Sequence, residues 1–275
     1  MSNARLAPDF LFEASWEVCN KVGGIHTVIS TKAQTVTRKF GDRYILIGPD
    51  LSHEGTNPEF EEDQTLLKAW RQAVYSEGLR IRIGRWKIKG EPLAVLVDFT
   101  SLIPRKDEIL TKLWESYHVD SLSGQWDYIE PVLFGYAAGT VIASYVKTFC
   151  SSTEKIVAHF HEWMSAAGGL YLRKYAPYVA TVFTTHATVM GRCIAGNHLP
   201  LYTDLTKFNA DELARQFNVV AKHSIEKAAA AYHDAFVTVS DITANECKFL
   251  LGREPDCITP NGFENDFVWT GEEYD

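Results

Sequence analysis

Five stretches place polar or small residues where an apolar, strand-like run ends. After the first come Glu17, Asn20, Lys21, Gly23 and Gly24; after "KIVAHF" come His161 and Glu162. After "VATVFTT" come His186, Thr188 and Arg192; after "AFVTV", Ser240 and Asp241; after "DCITP", Asn261 and Gly262. The pair Gly23-Gly24 lacks Cβ atoms, so backbone N–H groups there could approach an anion, and a helix N-terminus adds partial positive charge. Lys21 would add a full charge. The alternative is a bare strand-to-helix turn with Lys21 solvated, and the stretch alone leaves the two even. In "AHFHEW", His159 and His161 alternate and so face the same way on a strand. With Glu162 and His186 they could form a metal site, although no further ligand cluster completes one. Otherwise His159 packs in the core and only His161 or Glu162 reaches solvent, where imidazole and carboxylate could hydrogen-bond sugar hydroxyls. His186 and Arg192 lie six residues apart and need not share a helix face. A short loop before the helix could still turn both into one cleft, where an arginine suits bidentate phosphate recognition. A surface salt bridge is an equal alternative for Arg192. Ser240 and Asp241 read as helix caps and Asn261-Gly262 as a turn.

The elements that would carry these residues alternate between strand and helix. Phe10–Val18 mixes apolar and polar residues as a strand does, and Ile25, Val28, Ile29, Ala33, Val36 and Phe40 follow at helical spacing. "RYILIGP" is a short buried strand stopped by Gly48-Pro49, and 50–62 is a polar loop. A helix over 66–75 precedes two strands in "LRIRIGRWKIKGEPLAVLVDF" that form a hairpin around 89–92. Helices follow at 106–117, 128–149 and 163–175, then one long helix within 210–232 and another at 241–251. Short, β-branched, apolar strands between helices predict an α/β domain with a doubly wound, mostly parallel sheet covered on both faces. Roughly seven strands suit one such domain over 1–275 better than an eight-unit barrel. In open sheets of this kind ligands bind beyond the carboxyl ends of the strands, so the five stretches would share one edge.

Composition narrows the chemistry. The chain has 275 residues and a formal net charge of -8, which argues against a nucleic-acid surface. No apolar run reads as long enough to span a bilayer, and the first residues lack a signal-peptide pattern. Five scattered cysteines without a CxxC fit reduced thiols in a cytoplasm. Walker A, dinucleotide and GxSxG patterns are absent, which counts against NTP hydrolysis, nicotinamide chemistry and a serine hydrolase.

In order along the chain stand "FEASWEVCNKVGGIHTVISTKA", "IGRWKIKGEPLAVLVDF", "VAHFHEWMSAAGG", "VFTTHATVMGRCIAG", "HSIEKAAAAYHDAFVTVSDITANE" and "ITPNGF". Together they resemble the amino-terminal half of glycogen synthases of the animal and fungal type, glycosyltransferase family three. The ADP-glucose-using bacterial synthases are a more distant likeness. The resemblance implies one half of a GT-B enzyme, a metal-independent retaining transferase with no cofactor. It would move glucose from UDP-glucose, or ADP-glucose, to the non-reducing 4-hydroxyl of an α-1,4-glucan. By that likeness Lys21, Gly23 and Gly24 flank the donor's diphosphate and sugar. His186 contacts the glucose and helps stabilise the transition state, Glu162 lines the sugar and acceptor cleft, and His161 borders the substrate. Arg192 supports the leaving phosphate, and Asn261 and Gly262 lie at the crossing into a second Rossmann domain. That domain would bring the nucleotide pocket, an Arg/Lys pair and a glutamate-rich motif, none of which has a counterpart in this sequence. The arginine-rich regulatory helix also has none. The expectation is therefore an acceptor-side domain that is inactive or nearly so alone, since the departing nucleotide lacks electrostatic stabilisation. Two rival expectations remain: a stand-alone carbohydrate or nucleotide-sugar binding module, and a metal-dependent hydrolase using His159, His161 and His186.

Overall fold

The computed structural model describes residues 7–52 and 56–262. The chain begins with β1 (Phe10–Ala14), whose Phe12 and Ala14 are buried on one face and Glu13 on the other. The strand stops at Ala14, four residues short of the sequence expectation. The chain instead turns through Trp16–Cys19, with Cys19 at φ 54, and Trp16 packs on Phe99 and Phe134. α1 (Gly24–Phe40) follows and buries Ile25, Ile29 and Ala33, the expected stripe.

β2 (Tyr44–Pro49) is buried throughout and continues through Gly48-Pro49 rather than stopping there. The presumed polar loop after it contains β3 (Phe60–Glu62), an edge strand that pairs antiparallel with β4 (Arg80–Trp86). Its one buried apolar side chain, Phe60, gives too short a pattern to show as a strand. α2 (Lys68–Ser76) intervenes, and β4 forms the expected hairpin with β5 (Leu93–Asp98). α3 (Lys106–Tyr117) and α4 (Trp126–Phe149) lead to β6 (Ile156–His161). α5 (Trp163–Tyr175) and β7 (Ala180–Thr185) come next. Then follow α6 (Val189–Gly196), the single turn α7 (Leu201–Asp204), α8 (Ala210–Gln216) and α9 (Val220–Tyr232). The last elements are β8 (Ala235–Thr238), α10 (Asp241–Glu246) and β9 (Cys257–Ile258).

The one long helix expected within 210–232 is two helices. Asn218 at φ 55 breaks it, and the Val219 N–H closes back on the Ala214 carbonyl at 2.9 Å, a C-terminal cap that asparagine tolerates. The helix expected over 241–251 is α-helical only to Glu246 and then widens to a π-helical turn over Cys247–Leu251.

Among the described residues nine strands form one sheet in the order β3-β4-β5-β2-β1-β6-β7-β8-β9, two more than the approximate sequence count. From β5 through β9 every neighbouring pair is parallel. Cores lie on both faces. Ile45, Ile47 and Val95 point to the side carrying α4, α5 and α9, while Tyr44, Leu46 and Leu96 point to the side carrying α1. The sheet is thus doubly wound, as read from the sequence. α4 corrects one expectation: its 24 residues are long and apolar enough to cross a membrane by length and composition. With 78% of its most apolar window buried, it instead serves as a core helix packed against α5.

Candidate functional site

Strand order reverses at β1: the chain goes from β1 to β2 on one side, and β6 later joins β1 on the other. Such a switch point opens a crevice beyond the carboxyl ends of the strands. A cleft of about 310 Å³ lies there, lined by Lys32, His159, His161, Thr184, His186 and the 259–262 segment, among others. Of the residues singled out in the sequence, the cleft brings together His159, His161, His186, Asn261 and Gly262.

The cleft floor is a hydrogen-bonded chain that starts on β1. Glu13 is paired in register with His159 of β6 and is 1% exposed. Its Oε1 accepts from His161 Nε2 at 2.6 Å and lies 2.5 Å from the Lys32 ammonium. Its Oε2 accepts the Tyr44 hydroxyl at 2.5 Å. Burial acts to raise the Glu13 carboxyl, but Lys32 and His161 outweigh it and hold it well below the usual range. His161 Nδ1 in turn lies 2.9 Å from His186 Nε2, with the two rings stacked at 29°. Burial pushes both imidazoles down. For His186 the charges of His161, Lys32 and Arg192 add to it and bring it to about 3. His159 Nε2 is bonded to Thr184 Oγ1 at 2.7 Å.

This geometry reverses the expectation that His159 is core while His161 or Glu162 reaches solvent. His159 is half-buried, and His161 and Glu162 are each 2% exposed, because neighbouring rings and the following loop cover them. The metal site suggested by the sequence used His159, His161, Glu162 and His186; the group within metal-ligand range is instead Glu13, His159 and His161, and there Lys32 already places an ammonium on Glu13 Oε1. The 2.6 Å separation of Glu13 Oε1 and His161 Nε2 is that of a hydrogen bond. It is shorter than two ligands about 2 Å from one tetrahedral ion would show.

Glu162 stands behind the cleft. At φ 62 and ψ 166 its backbone occupies a region that side-chain-bearing residues rarely adopt. Its N–H donates to the Thr184 carbonyl at 2.8 Å, and its Oε1 accepts the His186 and Ala187 amides at 2.8 and 3.3 Å. Arg192 Nη2 lies 3.4 Å from the same oxygen while its side chain stays 61% exposed. Burial raises the Glu162 carboxyl against these partners. Two more buried carboxylates grip the same loop. Glu226 accepts from the Thr185 hydroxyl and the Val189 amide, and Glu246 accepts from the Thr188 hydroxyl. Burial, then the charge of Glu162, pushes Glu226 up to about 8.

In the glycine loop, Lys21, Gly23 and Gly24 are exposed and are not among the residues lining this cleft. The Gly23 and His26 amides at the start of α1 both donate to Glu17 Oε2, at 2.8 and 2.9 Å. The helix N-terminus does hold an anion, therefore, but it is the chain's own carboxylate. A Cβ on Gly23 would sit 3.0 Å from that carboxylate, so the missing side chain keeps the approach open. The charge of Glu17 also acts on His161 and Glu162, which ties the loop to the cleft. Ser240 caps α10 by accepting the Thr243 amide, as expected, and Phe263 lies outside the described residues.

Sequence reasoning missed Glu13, Lys32, Tyr44 and Glu226. Glu13 was visible as a lone carboxylate inside an apolar strand, "FLFEA", and Lys32 as a cation beside the buried stripe of α1.

A doubly wound α/β domain with a polar cleft at its switch point is common to many sugar- and nucleotide-handling proteins. The glycogen synthase family model matches residues 13–269. The chain belongs to the glycogen synthase family. It is 38% identical over 256 residues to glycogen [starch] synthase of Neurospora crassa, covering 92% of this chain and 36% of that one. It is 34% identical over 262 residues to the Caenorhabditis elegans protein, covering 94% and 39%. Against the Homo sapiens liver protein the figures are 37% over 257 residues, 92% and 36%. The chain thus spans little more than a third of the length of these relatives. Among solved structures it is distantly similar to the catalytic domain of starch synthase IV from Arabidopsis thaliana, bound to ADP and acarbose. That likeness has a TM-score of 0.49 at 14% identity, over 94% of this chain and 53% of that one.

Proposed function

We propose that this chain is the acceptor-side Rossmann-like domain, one half of a GT-B fold, of a retaining glucosyltransferase. The complete enzyme moves glucose from UDP-glucose, or ADP-glucose, to the non-reducing 4-hydroxyl of an α-1,4-glucan. The observation that carries this reading is the switch-point cleft itself. It is walled by imidazoles and threonine hydroxyls, and its one lysine is already committed to Glu13. Such a wall suits a neutral, hydroxyl-rich sugar. In this reading His186 contacts the glucose being transferred. Glu162 sets the loop that carries His186, and Arg192, mostly exposed beside Glu162, is free to swing to the leaving phosphate. Lys21, Gly23 and Gly24 border the diphosphate, which would compete with Glu17 for the α1 amides. Asn261 and Gly262 lead towards a second, nucleotide-holding Rossmann domain. The setting is cytoplasmic, which the free cysteines suit.

One second reading is a binding module without transfer, which the same hydroxyl-suited cleft wall would serve. A single experiment separates the two. Transfer from labelled UDP-glucose and ADP-glucose to glycogen is measured for this chain and for its gene product extended to the length of its relatives. Transfer by the extended protein, lost on His186→Ala, is expected. Maltooligosaccharide binding with no transfer at either length would replace this reading with the binding module.

A further inference from the structure

We infer that Glu13 and His161 are positioning residues for His186. They hold it as a neutral imidazole with its proton on Nε2 and its Nδ1 lone pair facing the cleft. The chain of contacts fixes where each proton sits. Glu13 is buried and takes an ammonium, a phenol and an imidazole nitrogen on its two oxygens. An ionised carboxylate only accepts, so His161 Nε2, 2.6 Å away, must carry the hydrogen. A neutral imidazole has one N–H, so His161 Nδ1 presents a lone pair. His186 Nε2 lies 2.9 Å from that lone pair and must donate to it. The remaining nitrogen of His186, Nδ1, then has no hydrogen, and no protein partner for it is found among the described residues.

The groups around the pair keep it in this state. Lys32 supplies the positive charge that neutralises Glu13, so neither ring needs to become an imidazolium. Arg192 and Lys32 both oppose a proton on His186. Glu17 and Glu13 favour protonation of His161, but burial prevails and its imidazole is held below the usual value. His159, whose ring centroid is 4.1 Å from that of His161, is held down by burial as well.

The consequence is chemical selectivity at one point of the cleft. A bare nitrogen lone pair accepts from a sugar hydroxyl and repels a phosphate oxygen. It cannot give up a proton as a general acid. The use made of the lone pair rests on the proposed glucosyl transfer, whereas the tautomer itself does not.

The test is long-range proton–nitrogen NMR of the chain with nitrogen-15-labelled histidine, from about pH 5 to about pH 8. The expected result is that His161 and His186 both show the Nε2–H pattern and that neither titrates in that range. Glu13→Leu, which removes the acceptor for His161 Nε2, should abolish the single tautomer of His186, while Tyr44→Phe, which leaves the relay in place, should keep it. If Glu13→Leu does not fold, the wild-type spectrum decides alone. A His186 with its proton on Nδ1, or titrating near the ordinary histidine value, overturns the inference. So does a folded Glu13→Leu variant with an unchanged His186 signature. Expected spectra together with no glucosyl transfer by the extended protein would sustain the relay and sink only the proposed function. A scrambled His186 in a chain whose extended form transfers glucose would do the opposite.

Discussion

Glu162 shows what a single residue stores at this site. Its φ of 62 is disfavoured for any residue with a Cβ, yet its carboxylate satisfies two amides of the His186 loop. Removing the carboxylate while keeping the Cβ leaves both the strain and the orphaned amides. Glu162→Ala should therefore cost about 2–4 kcal/mol in urea unfolding. Glu162→Gly loses the same hydrogen bonds but adopts that φ freely, so it should be the more stable of the two by about 1 kcal/mol. Equal stabilities, or a weaker glycine variant, would mean that the strain is not felt. The sequence placed Glu162, His186 and Arg192 close together because each follows or opens an element whose end was legible. It could not show that Glu162 faces the loop amides instead of the cleft, since a single positive φ leaves no periodic trace. Glu13 was passed over for a related reason: one polar residue in an alternating strand looks like its solvent face, and only burial between β2 and β6 reveals otherwise.

Among the elements, the pairing of α4 with α5 depends on close backbone approach. A Cβ added at Gly139 would lie 2.5 Å from the Gly168 carbonyl oxygen, and one at Gly168 would lie 2.6 Å from the Gly135 carbonyl oxygen. Neither partner is a flexible side chain, so the helices would have to separate. Gly139→Ala should destabilise the fold by about 1–3 kcal/mol despite its better helix propensity, read from the urea midpoint. A neutral or stabilised variant would show that α4 and α5 can part at little cost. The boundaries of α3 and α5 were read correctly from the sequence, because each is a continuous apolar period with clear ends. The α8–α9 break was not, although Asn218 carried the signal. Its neighbours Leu213, Phe217 and Val220 keep helical spacing across the break, so periodicity runs on where the backbone does not. Asn218→Gly should hold or raise the melting temperature, and Asn218→Ala should lower it by the larger amount, since only the latter pays for the left-handed conformation. Similar melting temperatures for both variants would place the cap elsewhere.

For the molecule as a whole, fold class was the most legible property, because alternation of short apolar strands with helices has few other solutions. Less legible was the number of titratable groups that the sheet buries around its switch point, and these give the protein opposed responses to pH. His186 at about 3 and His233 at about 4 are neutral when folded but protonated when unfolded below the ordinary histidine value. Between those values and about 6.5 the unfolded chain binds more protons, so stability falls as pH drops through that window. Glu226, at about 8, behaves in reverse. It is protonated when folded and ionised when unfolded from its ordinary value of 4.5 upward, so its contribution declines as pH rises from there to about 8. Glu226→Gln isolates this term. A glutamine carbonyl can accept the Val189 amide, and its amide can donate to the Thr185 hydroxyl, the arrangement a neutral acid would adopt. Near pH 5 the variant should match the parent within about 1 kcal/mol, and above pH 8 it should be more stable by roughly 1–3 kcal/mol. Urea titrations at the two pH values measure the difference. Parallel losses at both would show that Glu226 is ionised in the folded chain throughout.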